Sequence, residues 1–536
     1  MPNYSSISDA QPGAPAPSSS PDMTRARRVR NHQKDAHIGS ATMISCIVNL
    51  LNTIIGAGTL AMPSAMSHFG ILLGVVVILW SGFTSAFGLY LQSRCSRYLD
   101  RGSASFFALS QLTYPNAAVI FDAAIAIKCF GVGISYMIII GDLMPGVAEG
   151  FSSRAVEVAF LMNRNFWITA FMLIIIPLCF LRRLDSLKYT SVVALIAIGY
   201  LIILVVYHFA TDPLAPREKV RIISWGGPVE ALSSLPVVVF AYTCHQNMFS
   251  ILNELDQNTP ARIMGVISSS IGSAAGVYCL VAVTGYLTFG NDVASNIVGQ
   301  YPASIASTIA KAAIVVLVTF SVPLQVHPCR ASVDAVLRWR PSAVSGAANR
   351  SNSPGRGPLL PAAGRSDHGS GAAMSELRFA LLSTAILVLS YTVALSVTSL
   401  ERVLAYVGAT GSTSISFILP GLFYYKISDP DSIHHQRLAK DEDDPVSPAE
   451  SDVEDDDQAD DGVLGASVDS LRSNGSAAHR GRSARSPWHW RTKWRWDMDH
   501  IDPIFLRRAA AALATYGFCV MAVCLGMNLF GSISAH

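Results

Sequence analysis

"NLLNTIIGAGTLAMP", residues 49–63, lies inside the first long apolar run of the chain. A helix crossing lipid has no need of Gly-Ala-Gly at its middle with a proline five residues further on. Glycine lets the backbone leave helical geometry cheaply, and Pro63 supplies no amide hydrogen. In hydrocarbon each freed amide or carbonyl is costly unless something polar satisfies it, so a break at this depth is tolerated only where it lines a cavity. The competing explanation is that bare glycines mark a close helix crossing.

The run is one of many. Of the 536 residues, 51% are hydrophobic and only 14% charged, too apolar for a soluble globular chain. Eleven stretches meet or approach the length of about 20 residues that a spanning helix needs: near 42–65, 70–92, 117–141, 165–181, 188–209, 230–251, 262–289, 303–327, 377–399, 403–425 and 507–531. They are continuous rather than alternating, which predicts helices and not barrel strands. The fold class is therefore an all-α polytopic membrane protein with eleven transmembrane helices. The first 40 residues lack an apolar core, so the first helix is expected to direct insertion itself. Nine cysteines lie almost wholly within or beside the apolar runs and form no CxxC pattern, which argues against a disulfide framework or a structural metal site.

Loop charges set an expected orientation. The N-terminal flank "TRARRVRNHQK", the loop with Arg94, Arg97 and Arg101, the loop with Arg182, Arg183 and Lys188, and the arginine-rich stretch from Arg330 to Arg365 alternate with neutral or acidic loops. The positive-inside rule then places the N-terminus in the cytosol and, after eleven crossings, the C-terminus on the opposite side. The sequons at Asn3, Asn349 and Asn474 all fall on the cytosolic side. The chain divides into a disordered cytosolic arm (1–40), a transmembrane core (41–426) with a soft cytosolic insertion (340–375), a cytosolic acidic loop (427–500), and an eleventh helix with a luminal C-terminus (501–536). The loop's "DEDDPVSPAESDVEDDDQADD" cannot bury a core. It reads as a flexible linker or as a phospho-regulated segment at "VSPAESD". Trp488, Trp490, Trp494 and Trp496 interleave with basic residues just before the last helix, a pattern that suits lipid headgroups and not nucleic acid.

A second interruption gives the first its meaning. The sixth run, "LSSLPVVVFAYTCHQNMFSILNEL", carries Pro236 and then the polar cluster Thr243, Cys244, His245, Gln246 and Asn247 at mid-depth. Helices 1 and 6 are five apart, an odd number, so a repeat of five helices is inverted in the membrane. Discontinuous helices in matching positions of two inverted halves point to a secondary transporter's binding site. The amides at a half-helix N-terminus suit a carboxylate, and carbonyls at a broken end suit an ammonium group or a cation. One zwitterion satisfies both, so an amino acid is the natural substrate class.

The stretches "LLNTIIGAGTLAMPSAMSHFGILLG", "KCFGVGISYMIIIGDLMP", "FAYTCHQNMFSILNEL" and "VGATGSTSISFILPGLFYY" resemble the amino acid/auxin permease superfamily. The likeness is greatest to fungal vacuolar amino acid transporters and to the sodium-coupled neutral amino acid transporters. The resemblance implies a leucine-transporter-like five-plus-five inverted repeat with an extra eleventh helix. It implies a substrate site at Thr53, Ile54, Ile55, Gly56, Ala57 and Gly58, faced by Tyr242 and Thr243. It also implies a cation site between helix 1 and the helix 8 hydroxyls Thr319 and Ser321. The vacuolar branch is generally proton-coupled, so the coupling ion is a proton or sodium, with no other cofactor. Expected partners are an amino acid and membrane lipid, with the chain acting as a monomer in the vacuolar or another internal membrane.

Ionisable groups at depth are functional candidates by default. Lys128 lies near the centre of helix 3, six positions from Asp122, so the two need not pair. His245 at the helix 6 break is a proton-coupling candidate or a hydrogen-bonded structural group, and Glu254 a gate, a loop partner or a proton carrier. Asp142 reads as a solvated end of helix 3. No catalytic constellation or metal motif is present: the adjacent His434 and His435 lack carboxylates at ligand spacing. The expected function is thus proton-coupled amino acid export from vacuole to cytosol by alternating access. The alternative is a transporter-like amino acid sensor signalling through its cytosolic segments.

Overall fold

The computed structural model describes residues 39, 41–99, 102, 104–181, 190–338, 375–432, 435–436 and 503–534. The N-terminal arm, the loop Arg182–Lys188, most of the 340–375 insertion, the acidic stretch with its tryptophans, and the three sequons lie outside them.

Among the described residues the named elements are helices. Span 1 is α1 (Met43–Ile54) and α2 (Ala57–Phe69), set at 54° to each other across Ile55 and Gly56. Span 2 is α3 (Ile71–Cys95), followed by the short α4 (Phe106–Thr113). Spans 3, 4 and 5 are α5 (Ala118–Phe151), α6 (Arg164–Cys179) and α7 (Thr190–Thr211). Span 6 is α8 (Pro228–Ala241) and α9 (His245–Glu254), with Tyr242–Cys244 between them. Spans 7, 8 and 9 are α10 (Pro260–Phe289), α11 (Ile305–Arg338) and α12 (Glu376–Ser396). Span 10 joins α13 (Leu400–Val407) to α14 (Leu419–Ile427) through two π-helical turns, and span 11 is α15 (Pro503–Ser534).

Ten of the eleven expected spans are long and apolar enough to cross a bilayer, counting bent span 1 once; α6, at 16 residues, falls short of that length. α5 and α11, at 34 residues each, overrun the predicted runs. At 1.5 Å per residue each is about 50 Å long, which exceeds the hydrocarbon and requires tilt. Asp142 accordingly lies within α5 instead of closing it, 3.7 Å from the Arg164 guanidinium of α6. Leu72, Val76, Leu79 and Phe83 form an exposed stripe at helical spacing on α3, the pattern of a lipid-facing surface.

The repeat is visible in which spans touch. Spans 1 and 7 pack together, and so do 6 and 2; 3 and 10 match 8 and 5; 3 and 9 match 8 and 4; 3 and 4 match 8 and 9; 2 and 10 match 7 and 5; 6 and 10 match 1 and 5. The pairs 1–6, 2–7, 3–8 and 4–9, which map onto themselves when five is added, are all in contact. The contacts 1–2 and 1–10 have no counterpart of similar extent. Each span runs opposite to the one five later, so this is the five-plus-five inverted arrangement. α15 packs outside it on spans 6 and 10.

The prolines do not mark the breaks. Pro63 sits inside α2 and Pro236 inside α8, while the unwound residues are 55–56 and 242–244. Pro63 instead packs against Gly285 of α10, where a β-carbon would lie 2.7 Å from the proline ring.

Candidate functional site

Helical geometry stops at Ile55 (ψ 104°) and Gly56 (φ −156°, ψ −137°) and resumes at Ala57. The Ile55 amide still donates to Leu51 and that of Thr59 to Gly56, at 2.8 and 3.0 Å. Between them, the amides of Gly56, Ala57 and Gly58 have no backbone acceptor among the described residues, as expected for the first turn of a helix. In span 6 the chain turns through Tyr242 (ψ 1°) and Cys244 (ψ 3°), with the Thr243 amide donating to Phe240.

The two breaks meet. Gly58 packs directly on Ala241. The Asn247 side-chain amide of α9 donates to the Thr53 hydroxyl of α1 at 2.8 Å, and that hydroxyl donates to the Asn49 carbonyl.

A cavity of about 460 Å³ opens beside the breaks. That is within the range of small-molecule sites. Its walls are one-sided. Span 1 contributes Asn49, Asn52 and Thr53 but nothing beyond Leu60, and span 6 contributes Phe240 onwards, including Gln246, Asn247 and Ser250. α5 adds residues only from Asp122 to Tyr136, none from its last four turns, and α11 only from Ile314 to Ser332. All these stretches lie toward the face of the bundle where α1 begins.

The opposite half is closed by a carboxylate. Glu401, at the start of α13, accepts from the Ser64 hydroxyl of α2 at 2.6 Å and from the Ser234 hydroxyl of α8 at 2.7 Å. Nε2 of His68 lies 3.3 Å from the same carboxylate, and its Nδ1 lies 3.6 Å from Glu230, which Arg221 also contacts at 3.1 Å. Spans 1, 6 and 10 are tied together here.

Thr53, Ile54, Ile55, Gly56, Ala57, Gly58 and Thr243 line the cavity, as do Lys128 and Ser321. Tyr242 does not. It is fully buried, packed edge-on against Tyr278 at 5.1 Å and over Gly82. His245 also lies off the cavity, with Nε2 3.2 Å from the Ser85 carbonyl and its own carbonyl accepting from Gln92. Glu254 is exposed at the end of α9, where its carbonyl accepts from the Ala41 amide. Thr319 is buried away from the cavity; its hydroxyl and that of Ser321 each donate to a carbonyl one turn back. Asp122 and Lys128 both face the cavity without forming an ion pair. His435 meets the Tyr98 hydroxyl at 3.0 Å, while His434 lies outside the described residues.

The family described as transmembrane amino acid transporter protein matches residues 39–443, which takes in both breaks and ten spans. The chain belongs to this transporter family. It is 43% identical over 395 residues to vacuolar amino acid transporter 5 of Schizosaccharomyces pombe, covering 74% of this chain and 86% of that protein. Vacuolar amino acid transporter 6 of Saccharomyces cerevisiae is 42% identical, over 72% of this chain and 90% of its own length. The sodium-coupled neutral amino acid transporter 7 of Danio rerio is more distant, 27% identical over 56% of this chain and 66% of its own. The relatives are transporters and not enzymes.

Several polar groups of this family member's cavity carry no sequence signal of their own. Gln325 and Ser332 look like ordinary positions in an apolar helix, yet with Ser321 they fall at intervals of four and seven residues on one face of α11. Glu401 sits at the edge of a span and reads as a headgroup residue. Tyr278 is one aromatic among many in apolar runs.

Proposed function

We propose that the protein is a secondary active amino acid transporter of the vacuolar membrane, exporting substrate to the cytosol with protons by alternating access. The observation that carries this reading is the one-sided cavity reaching both helix breaks. Free amides at the start of α2 receive the substrate carboxylate, and carbonyls of the unwound segments receive its ammonium. With the N-terminus cytosolic, as the loop charges indicate, the cavity opens to the cytosol and the Glu401 cluster seals the luminal side. This is the releasing half of an export cycle. Vacuolar residence is supported by the two fungal relatives, each about two-fifths identical over most of its length.

Lys128 is the intramembrane charge placed to respond to coupling, since it borders the cavity and forms no ion pair with a carboxylate among the described residues. The assignment is tested by uptake into proteoliposomes across a panel of amino acids under an imposed proton or sodium gradient. Accumulation driven by protons and not by sodium supports it. Binding without flux would favour the sensor, and accumulation only under a sodium gradient would reject proton coupling.

A further inference from the structure

Tyr278 of α10 is fully buried and stands behind the breaks, outside the cavity. Its hydroxyl lies 2.7 Å from the carbonyl of Ile54, the last residue of α1, and 2.8 Å from that of Ala241, the last residue of α8. One side chain from span 7 therefore meets the broken ends of both spans 1 and 6. A phenol has a single hydrogen, so the two carbonyls share it, and a full bond forms to only one at a time. Both carbonyls are terminal helix groups whose usual amide partners the breaks remove. Ile54 and Ala241 themselves border the cavity, while Tyr278 reaches their carbonyls from behind it.

We propose that Tyr278 is a positioning residue for transport: its hydroxyl pins the two broken ends together and sets the spacing of the peptide groups that receive the substrate. Three observations converge on this. The Tyr278 hydroxyl meets the Ile54 and Ala241 carbonyls, both of residues that line the cavity, and so fixes where those two peptide groups stand beside the substrate. Its ring is held edge-on by Tyr242, so the hydroxyl cannot swing away without disturbing the span 6 turn. Finally, Gly58 and Ala241 are in contact next to it, so a small shift of one broken end displaces the other. On the other face of span 6, span 2 supports the start of α9 through Gln92 and Ser85. Spans 2 and 7 are related by the five-helix repeat, and each braces a break from its own side.

The inference rests on the substrate site proposed above, and the experiment separates the two. Tyr278→Phe keeps the ring and its packing but removes the shared proton donor. Initial-rate flux of the amino acid that wild type transports is measured in proteoliposomes at matched protein content. KM is expected to rise about tenfold or more, with Vmax changing much less, because buried carbonyls left unpaired pull the site out of register. Loss of Vmax with unchanged KM, or wild-type values for both, overturns the positioning role. A wild-type protein that moves no amino acid at all overturns the transport reading instead. Tyr242→Phe serves as the second variant. Its hydroxyl has no hydrogen-bond partner among the described residues, so it should leave KM unchanged, and an equal rise there would show that any lost tyrosine hydroxyl perturbs the site.

Discussion

A β-carbon placed on Gly58 would lie 2.6 Å from that of Ala241 and 2.9 Å from its Cα, so the two broken spans cross with no room for a side chain. Gly56, two residues earlier, is the opposite case, since a β-carbon there meets nothing within 4 Å. The same residue type thus serves contact at one position and access at the other. Gly58→Ala must push the spans apart, an overpacking that costs about 1–3 kcal/mol, and flux should fall sharply while membrane insertion persists. Gly56→Ala should fold normally and raise KM by narrowing the substrate's space. Equal, unaltered transport in both variants would remove the substrate site from the breaks.

Glu401 holds two serine hydroxyls and faces His68, whose ring nitrogens lie against two different carboxylates. Only the doubly protonated imidazole can donate to both. The charged groups around it are Glu401, Glu230 and Arg221, so an added proton meets net negative charge. Acid on that face should therefore favour the closed arrangement, and the preference should fade as the pH rises and the imidazole loses its proton. Thiol labelling of Ser64→Cys from the luminal side should be slower at acidic than at neutral pH in the presence of His68. His68→Gln should flatten that response, and a response that survives His68→Gln assigns it elsewhere.

Lys128 is 5% exposed and borders the cavity with no carboxylate partner among the described residues. Lys128→Met should abolish accumulation driven by a proton gradient while leaving exchange of labelled for unlabelled substrate. Intact uphill accumulation would show that the charge plays no part in coupling.

The cavity's sidedness makes a labelling prediction along α11. In a background with the native cysteines replaced, Ser321→Cys and Gln325→Cys, both part-exposed on the cavity wall, should react with an impermeant thiol reagent from the cytosolic side and be protected by substrate. Val322→Cys and Val326→Cys, on the buried face, should not react. Reaction from the lumen alone would invert the assigned orientation.

Both interruptions were readable in the sequence because glycines in span 1 and a polar cluster in span 6 have no business in lipid otherwise. Their exact residues were less so. Pro63 and Pro236 read as part of the breaks, but both lie inside continuous helix, in α2 and α8. His245 stood out as polar and deep, yet it bonds to span 2 and not to the cavity. Conversely, Tyr278 and Glu401 gain their significance only from convergence of three spans far apart in the chain, and local composition carries no trace of that. The π turns of span 10 were hidden too: "GATGSTSISF" has the small residues of a tightly packed helix, and nothing in it distinguishes a wider turn.

The two unwound residues after α1 leave it a rod of 12 residues hinged at one end. At 1.5 Å per residue it is about 18 Å long, so a swing of about 20° would carry its far tip about 6 Å and part the Ala41–Glu254 hydrogen bond that latches it. That displacement is comparable to the width of an amino acid. A lever this short can uncover a doorway of the right size while the long paired rods α5 and α11 stay still.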